Sequence, residues 1–114
     1  MSLRDSFISK AGVFKAEPFQ VDDETTVYLK PMSKGTRSKM EAIVSGQKTA
    51  KDCSDVRWVV LASCMVDETG ALLLKSEDRQ LFDSWQDSFI EPIFERVLEL
   101  SKVTDKDREE FGKN

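Results

Sequence analysis

The stretch that most limits what this chain can fold into lies near its C-terminal end. From Phe89 onward, Phe89, Ile90, Ile93, Phe94, Val97, Leu98 and Leu100 recur at three- and four-residue steps. That period belongs to one face of an α-helix, so the segment predicts an amphipathic helix whose apolar stripe other elements must cover. Pro92 fits such a helix only in its first turn, where no backbone N–H is required. With 114 residues, the chain reads as one domain over residues 1–114, large enough for a modest core without cross-links.

The remaining segments must supply the covering layer. Val13 to Val21 mixes β-formers with Pro18, which suits an edge strand. After the polar turn Asp22-Asp23-Glu24, Thr25, Val27 and Leu29 alternate with Thr26, Tyr28 and Lys30, the period of a strand with one buried face. Ser33 is placed to cap a helix running to about Ser45, with Met40, Ile43 and Val44 on its apolar side and Gly46 as its stop. Gln47 to Asp55 is polar and reads as a loop. Arg57 to Val66 is dense in β-branched and aromatic residues. Together with the turn Asp67-Glu68-Thr69-Gly70 and the run Ala71-Leu72-Leu73-Leu74, it predicts a hairpin, although a helix would also accept the three leucines.

Ser76, followed by Glu77 and Asp78, is placed to cap a helix carrying Leu81, Phe82 and Trp85. A break near Gln86-Asp87-Ser88 leads into the amphipathic helix. At the chain ends, residues 1–12, with Phe7 and Ile8, read as a helical turn or an extended arm. Thr104 caps a polar tail helix over residues 104–114, in which Phe111 is the only large apolar residue. The sum is an α+β fold. An N-terminal strand pair and a central hairpin form a small antiparallel sheet, helices pack on one face, and the C-terminal half is helical.

Composition matters for what it excludes. Lys and Arg number 17 against 21 Asp and Glu, a net charge of −4. The most basic stretch, Lys30 to Lys39, holds only Lys30, Lys34, Arg37 and Lys39, so no nucleic-acid partner is expected. Histidine is absent, which removes serine triads and Cys-His pairs in their usual forms. The two cysteines, Cys53 and Cys64, could fill only half of a structural zinc site. Cys64 sits in an apolar run and reads as a small buried hydrophobe. Glycines stand alone, and Asp67-Glu68-Thr69-Gly70 lacks the alternating acids of a calcium loop. Adjacent acids at Asp22-Asp23-Glu24, Asp67-Glu68 and Glu77-Asp78 read as turn and helix-start residues, because neighbouring side chains point in different directions. The expectation is a non-enzymatic protein with no cofactor and no metal, with a histidine-free carboxylate enzyme as an alternative. No apolar window is long enough to span a bilayer, so no membrane partner is expected and the cytoplasm is the expected location.

The informative side chains are instead large and apolar. Phe82, Trp85, Phe89 and Phe94 cluster around the helix break. Core packing accounts for most of them, while one or two can serve as interface anchors. The candidate partner-binding residues are Phe82, Trp85, Phe89 and Ile93, with Trp85 and Phe89 as the principal anchors.

From about Val13 to Asn114 the sequence resembles the tail assembly chaperones of long-tailed bacteriophages. The likeness is carried by the stretch Trp58 to Leu74 around its Asp-Glu-Thr-Gly turn, the acidic helix start Ser76-Glu77-Asp78 leading to Leu81, and the Val97-Leu98-Glu99-Leu100-Ser101 helix end before a Thr-capped acidic tail. Upstream, Thr26 to Lys30 followed by Pro31-Met32-Ser33 is similar to the family's N-terminal half. Where the family often has an aromatic residue after the hairpin's second strand, this sequence has Leu74-Lys75. The resemblance implies a chaperone in the bacterial host cytoplasm that coats the tape measure protein and keeps it soluble. It also implies help in recruiting tail tube protein and absence from the finished particle. A chain ending at Asn114 would correspond to the short product of a frameshifted gene. Homo-oligomerisation stays open, as do two other readings: an adaptor or immunity-type inhibitor, and a minor structural phage protein.

Overall fold

A computed structural model describes residues 2–46 and 49–103. Along the chain come α1 (Leu3–Ala11), β1 (Glu17–Gln20), β2 (Thr26–Leu29), α2 (Lys34–Ser45), α3 (Ala50–Cys64), β3 (Met65–Val66), a 3₁₀ turn (Ser76–Asp78), α4 (Arg79–Phe82) and α5 (Asp87–Leu100). The architecture is α+β with a helical C-terminal half, as the residue pattern predicts. The tail helix expected over residues 104–114 lies outside the described residues.

The sheet is antiparallel in the order β1-β2-β3. β1 is an edge, and its Pro18 stands opposite Tyr28 of β2. Along β2, Val27 and Leu29 are buried while Thr26 is exposed and Tyr28 half-buried, so the alternation in the sequence sets which face meets the core. Of the N-terminal segment, Leu3–Ala11 forms a helix rather than an extended arm, with the Ser2 hydroxyl accepting the Asp5 N–H. Ser33 caps α2 as expected, accepting the Thr36 N–H at 3.1 Å, and Gly46 ends it.

The central hairpin is the main correction. Arg57 to Cys64 is helical, and the expected loop Gln47 to Asp55 contains the start of that helix. Thr49 and Asp52 form a reciprocal capping box at its N-terminus. Val56, Val60, Leu61 and Cys64 lie at steps of four, one and three residues, and all four are buried. The β-branched content favoured a strand, but burial of a helical stripe against α5 outweighs a preference that spans only about 1 kcal/mol. Only the tip of the hairpin survives. Val66 bridges Leu72 across a turn in which the Asp67 carboxylate accepts the N–H groups of Thr69 and Ala71, and Gly70 adopts a φ of 89° that a side chain would disfavour.

Two smaller corrections follow. Ser76 lies inside the 3₁₀ turn instead of capping a helix, and the Asp78 carboxylate accepts the Lys75 N–H at 2.8 Å. Pro92 is the sixth residue of α5, past the first turn. The carbonyl it leaves without a helical partner belongs to Ser88, an exposed residue whose oxygen water can reach.

α5 does what its periodicity demands. Ile93, Phe94, Val97 and Leu98 are buried against Val56, Val60 and Leu61 of α3 and against Val27 and Leu29 of β2, with Met40 of α2 in the same cluster. Truncating any of the leucines to alanine would cost about 2–5 kcal/mol. Polar contacts fix the register. Arg96 donates to Glu17 of β1 at 2.6 Å. The Met32 N–H donates to the Ser101 hydroxyl at 2.9 Å, and that hydroxyl donates to the Val97 carbonyl at 2.7 Å.

The end of α5 is a Schellman motif. The Val103 N–H donates to the Leu98 carbonyl at 3.0 Å and the Lys102 N–H to the Glu99 carbonyl at 3.1 Å. Val103 is thereby turned into the core. The position that usually takes glycine is held by Lys102, at φ 57°. Lys102→Gly should therefore raise the unfolding free energy by about 1 kcal/mol, measured by urea denaturation.

Candidate functional site

The aromatic residues converge where α4 turns into α5. The chain turns over Asp83 to Gln86, with the Trp85 N–H donating to the Phe82 carbonyl at 3.1 Å. Trp58 of α3, Phe82 and Trp85 stack edge to face, with ring centres 5.4 Å and 5.6 Å apart. Phe82 sits between the two tryptophans and is buried, and both tryptophans are half-buried.

The four residues predicted to bind a partner divide cleanly. Phe82 and Ile93 are core residues, at 5% and 4% exposure, and support the surface from beneath. Trp85 is half-buried and Phe89 is 39% exposed, so these two reach solvent. Half-buried Ile90 extends the apolar surface beside them, and Leu81 of α4 is 52% exposed. Sequence reasoning treated Leu81 and Ile90 as packing residues. A position next to the helix break was the only available signal for either.

Two hollows flank Trp85. The larger, about 540 Å³, lies between the first half of α3 and the start of α5, and Cys53, Ser54, Arg57, Asp83, Asp87 and Glu91 line it beside Trp85 and Ile90. The smaller, about 290 Å³, is chiefly apolar and bounded by Phe89, Trp85 and Ile90. In the larger one the Ser54 hydroxyl donates to Asp83, and Arg57 pairs with Glu91 while its guanidinium lies 4.7 Å over the Phe94 ring. These contacts tie α3 to the corner. Next to it, Arg79 reaches Asp55 at 2.9 Å and Lys51 reaches the same carboxylate at 2.7 Å. Partial burial works to raise the Asp55 pKa, but the hydrogen bonds and charges of Lys51 and Arg79 outweigh it and hold the carboxyl below its ordinary value. Cys64 lies in the core, where burial pushes its thiol up to about 12, so it is protonated and unreactive at neutral pH.

Among the described residues, no three or more Cys, Asp or Glu side chains group as a metal site, and no helix is long and apolar enough to cross a membrane. What the corner offers is aromatic and aliphatic surface within a charged rim. That combination suits the apolar stripe of another polypeptide.

No family model matches the sequence, and no curated protein matches it. The fold is similar to the solved structure of the bacteriophage HK97 tail assembly chaperone, with a TM-score of 0.62 at 14% identity. The match covers 87% of this chain and 98% of that one. The chain thus has a fold like that of a phage tail assembly chaperone.

Two measurements check the division of roles and the electrostatics. Phe82→Ala should cost about 3–5 kcal/mol in urea unfolding, whereas Phe89→Ala should cost under about 1 kcal/mol. Because the Asp55 pKa is lowered from 3.8 in the folded state, its contribution to stability is present above that value and is lost as the pH falls through the folded pKa. Asp55→Asn should therefore be less stable than the parent by about 1 kcal/mol at neutral pH. The difference should shrink toward zero in denaturation curves taken at progressively lower pH.

Proposed function

We propose that this chain is a phage tail assembly chaperone. It binds the tape measure protein and keeps it soluble, helps recruit tail tube subunits around it, and leaves before the particle is complete. It works by binding rather than by catalysis, in the host cytoplasm. The observation that carries this reading is the fold likeness to the HK97 chaperone over nearly the whole of that chain. The sequence resemblance from Val13 to Asn114 points the same way.

The corner supplies a physical means. A long helical client with exposed apolar stripes aggregates unless those stripes are covered, and an apolar groove with a charged surround covers them while keeping the complex in solution. Trp85 and Phe89 are the anchors, with Ile90 beside them. Phe82 and Ile93 hold that surface in place.

The reading is tested by co-expression with a phage tape measure protein. The client should be soluble only when this chain is present, and native mass spectrometry should find many copies on each client. A Trp85→Ala/Phe89→Ala double variant should keep its circular dichroism spectrum and lose about tenfold or more in client affinity. Saturation at one copy on a small folded partner would favour an inhibitor instead. Recovery of the chain in purified particles would favour a structural component.

A further inference from the structure

Trp85 and Ile90 line both hollows at the corner, so together they form a ridge with one hollow on each side. The helical period of α5 decides what each side presents. Asp87 and Glu91, one turn apart, border the larger hollow, and Phe89 borders the smaller. At about 3.6 residues per turn, Phe89 projects about 160° around the helix from Asp87. An acidic chamber and an apolar chamber therefore stand back to back.

The acidic side has charge left over. Asp83, Asp87 and Glu91 line it, and among the described residues Arg57 is the one cation in that lining. Arg57 is already engaged, with Glu91 and with the Phe94 ring. Arg79 approaches Asp83 from outside at 3.5 Å but lies nearer to Asp55, at 2.9 Å. Asp87 is exposed, and among the described residues its carboxylate has neither an ion pair nor a hydrogen bond. A cation on an apolar stem fits both halves of this lining. The stem of a lysine or arginine can lie along Trp85 and Ile90 while its charged head reaches Asp87. An indole also attracts a cation over its ring more strongly than the other aromatic side chains do.

Resting on the reading that this corner receives the client, we infer that it selects amphipathic helices in which a lysine or arginine stands one turn from a large apolar residue. The apolar side chain enters the hollow bounded by Phe89, and the cation enters the hollow lined by Asp87. The ridge of Trp85 and Ile90 lies under the turn between them. Residues one turn apart on a helix have Cβ atoms about 5–6 Å apart, a spacing that two chambers divided by one row of side chains accept. A helix apolar all along would strip water from Asp87 and give nothing back, and an acidic helix would meet like charge. The corner therefore discriminates by what it repels as well as by what it covers.

The probes are labelled amphipathic peptides of about 20 residues, long enough to form a helix. In each, the residue four places after every leucine is Lys, Gln or Glu. In fluorescence anisotropy the Lys peptide should bind about tenfold more tightly than the Gln peptide, and the Glu peptide more weakly still. Raising the salt should narrow the gap. Asp87→Asn should remove most of the Lys preference while leaving the affinity for the Gln peptide unchanged. Asp87→Glu should restore the preference, and both variants should keep the parent's circular dichroism spectrum. Phe89→Ala should weaken all three peptides alike. Equal binding of the Lys and Gln peptides, or a Lys preference that survives Asp87→Asn, would overturn the inference. If the same preparation still keeps a tape measure protein in solution, that failure leaves the client reading standing. Loss of that solubilisation beside an intact Lys preference would strike the client reading and not the selectivity of the corner.

Discussion

Burial of the α5 stripe against α3 and β2 is the interaction on which everything else rests. Phe94, Val97 and Leu98 from α5, Val56, Val60 and Leu61 from α3, and Leu29 from β2 are almost fully removed from water in one cluster. None of the three elements can bury its own apolar face alone. Once they have met, the polar contacts have little freedom left. Arg57 can reach Glu91 only because α3 and α5 lie side by side, and Arg96 can reach Glu17 only because α5 crosses the sheet. Ser101 then closes the far end by accepting from Met32. The aromatic corner is downstream of the same event, since Phe82 finds its place only against Trp58 of α3.

Several parts of this were legible in the residues because two independent signals agreed. α2 had both a capping serine and a terminal glycine, and β2 had strict alternation after the polar turn Asp22-Asp23-Glu24. α5 was unmistakable from its period. α3 was missed because its signals conflicted. Trp58, Val59 and Val60 are residues that strands favour, while the helical evidence was split between a capping box in a polar stretch and a stripe beginning at Val56. Local preference and periodicity pointed in different directions, and only the facing surface of α5 decides between them. Pro92 was misplaced for a related reason, since helix starts depend on capping and Gln86 supplies no side-chain cap.

The surface was harder to read than the core. A sequence can show that aromatic residues cluster around a break, but which of them faces inward depends on how two helices meet. Phe82 and Phe89 look alike in the chain and end on opposite sides of the boundary with water. The charge pattern of the hollow was equally hidden, because Arg57 and Glu91 are 34 positions apart in sequence. The exposed state of α1 was hidden too, since nothing in Leu3, Phe7 and Ile8 says that the rest of the fold leaves them uncovered.

The outer strand bears on how such a molecule survives close to sticky company. Val21 donates to the Thr25 carbonyl, so by alternation Glu17 and Phe19 face β2 with their backbone groups and Pro18 faces outward. The outer rim therefore lacks a donor at its midpoint, and at the other rim β3 is only 2 residues long. Neither border offers a long, regular row of amide groups for an incoming strand to zip onto. Under the proposed role, a client would be gripped by its side chains and let go again, without its backbone fusing to the sheet and drawing the holder into a fibre.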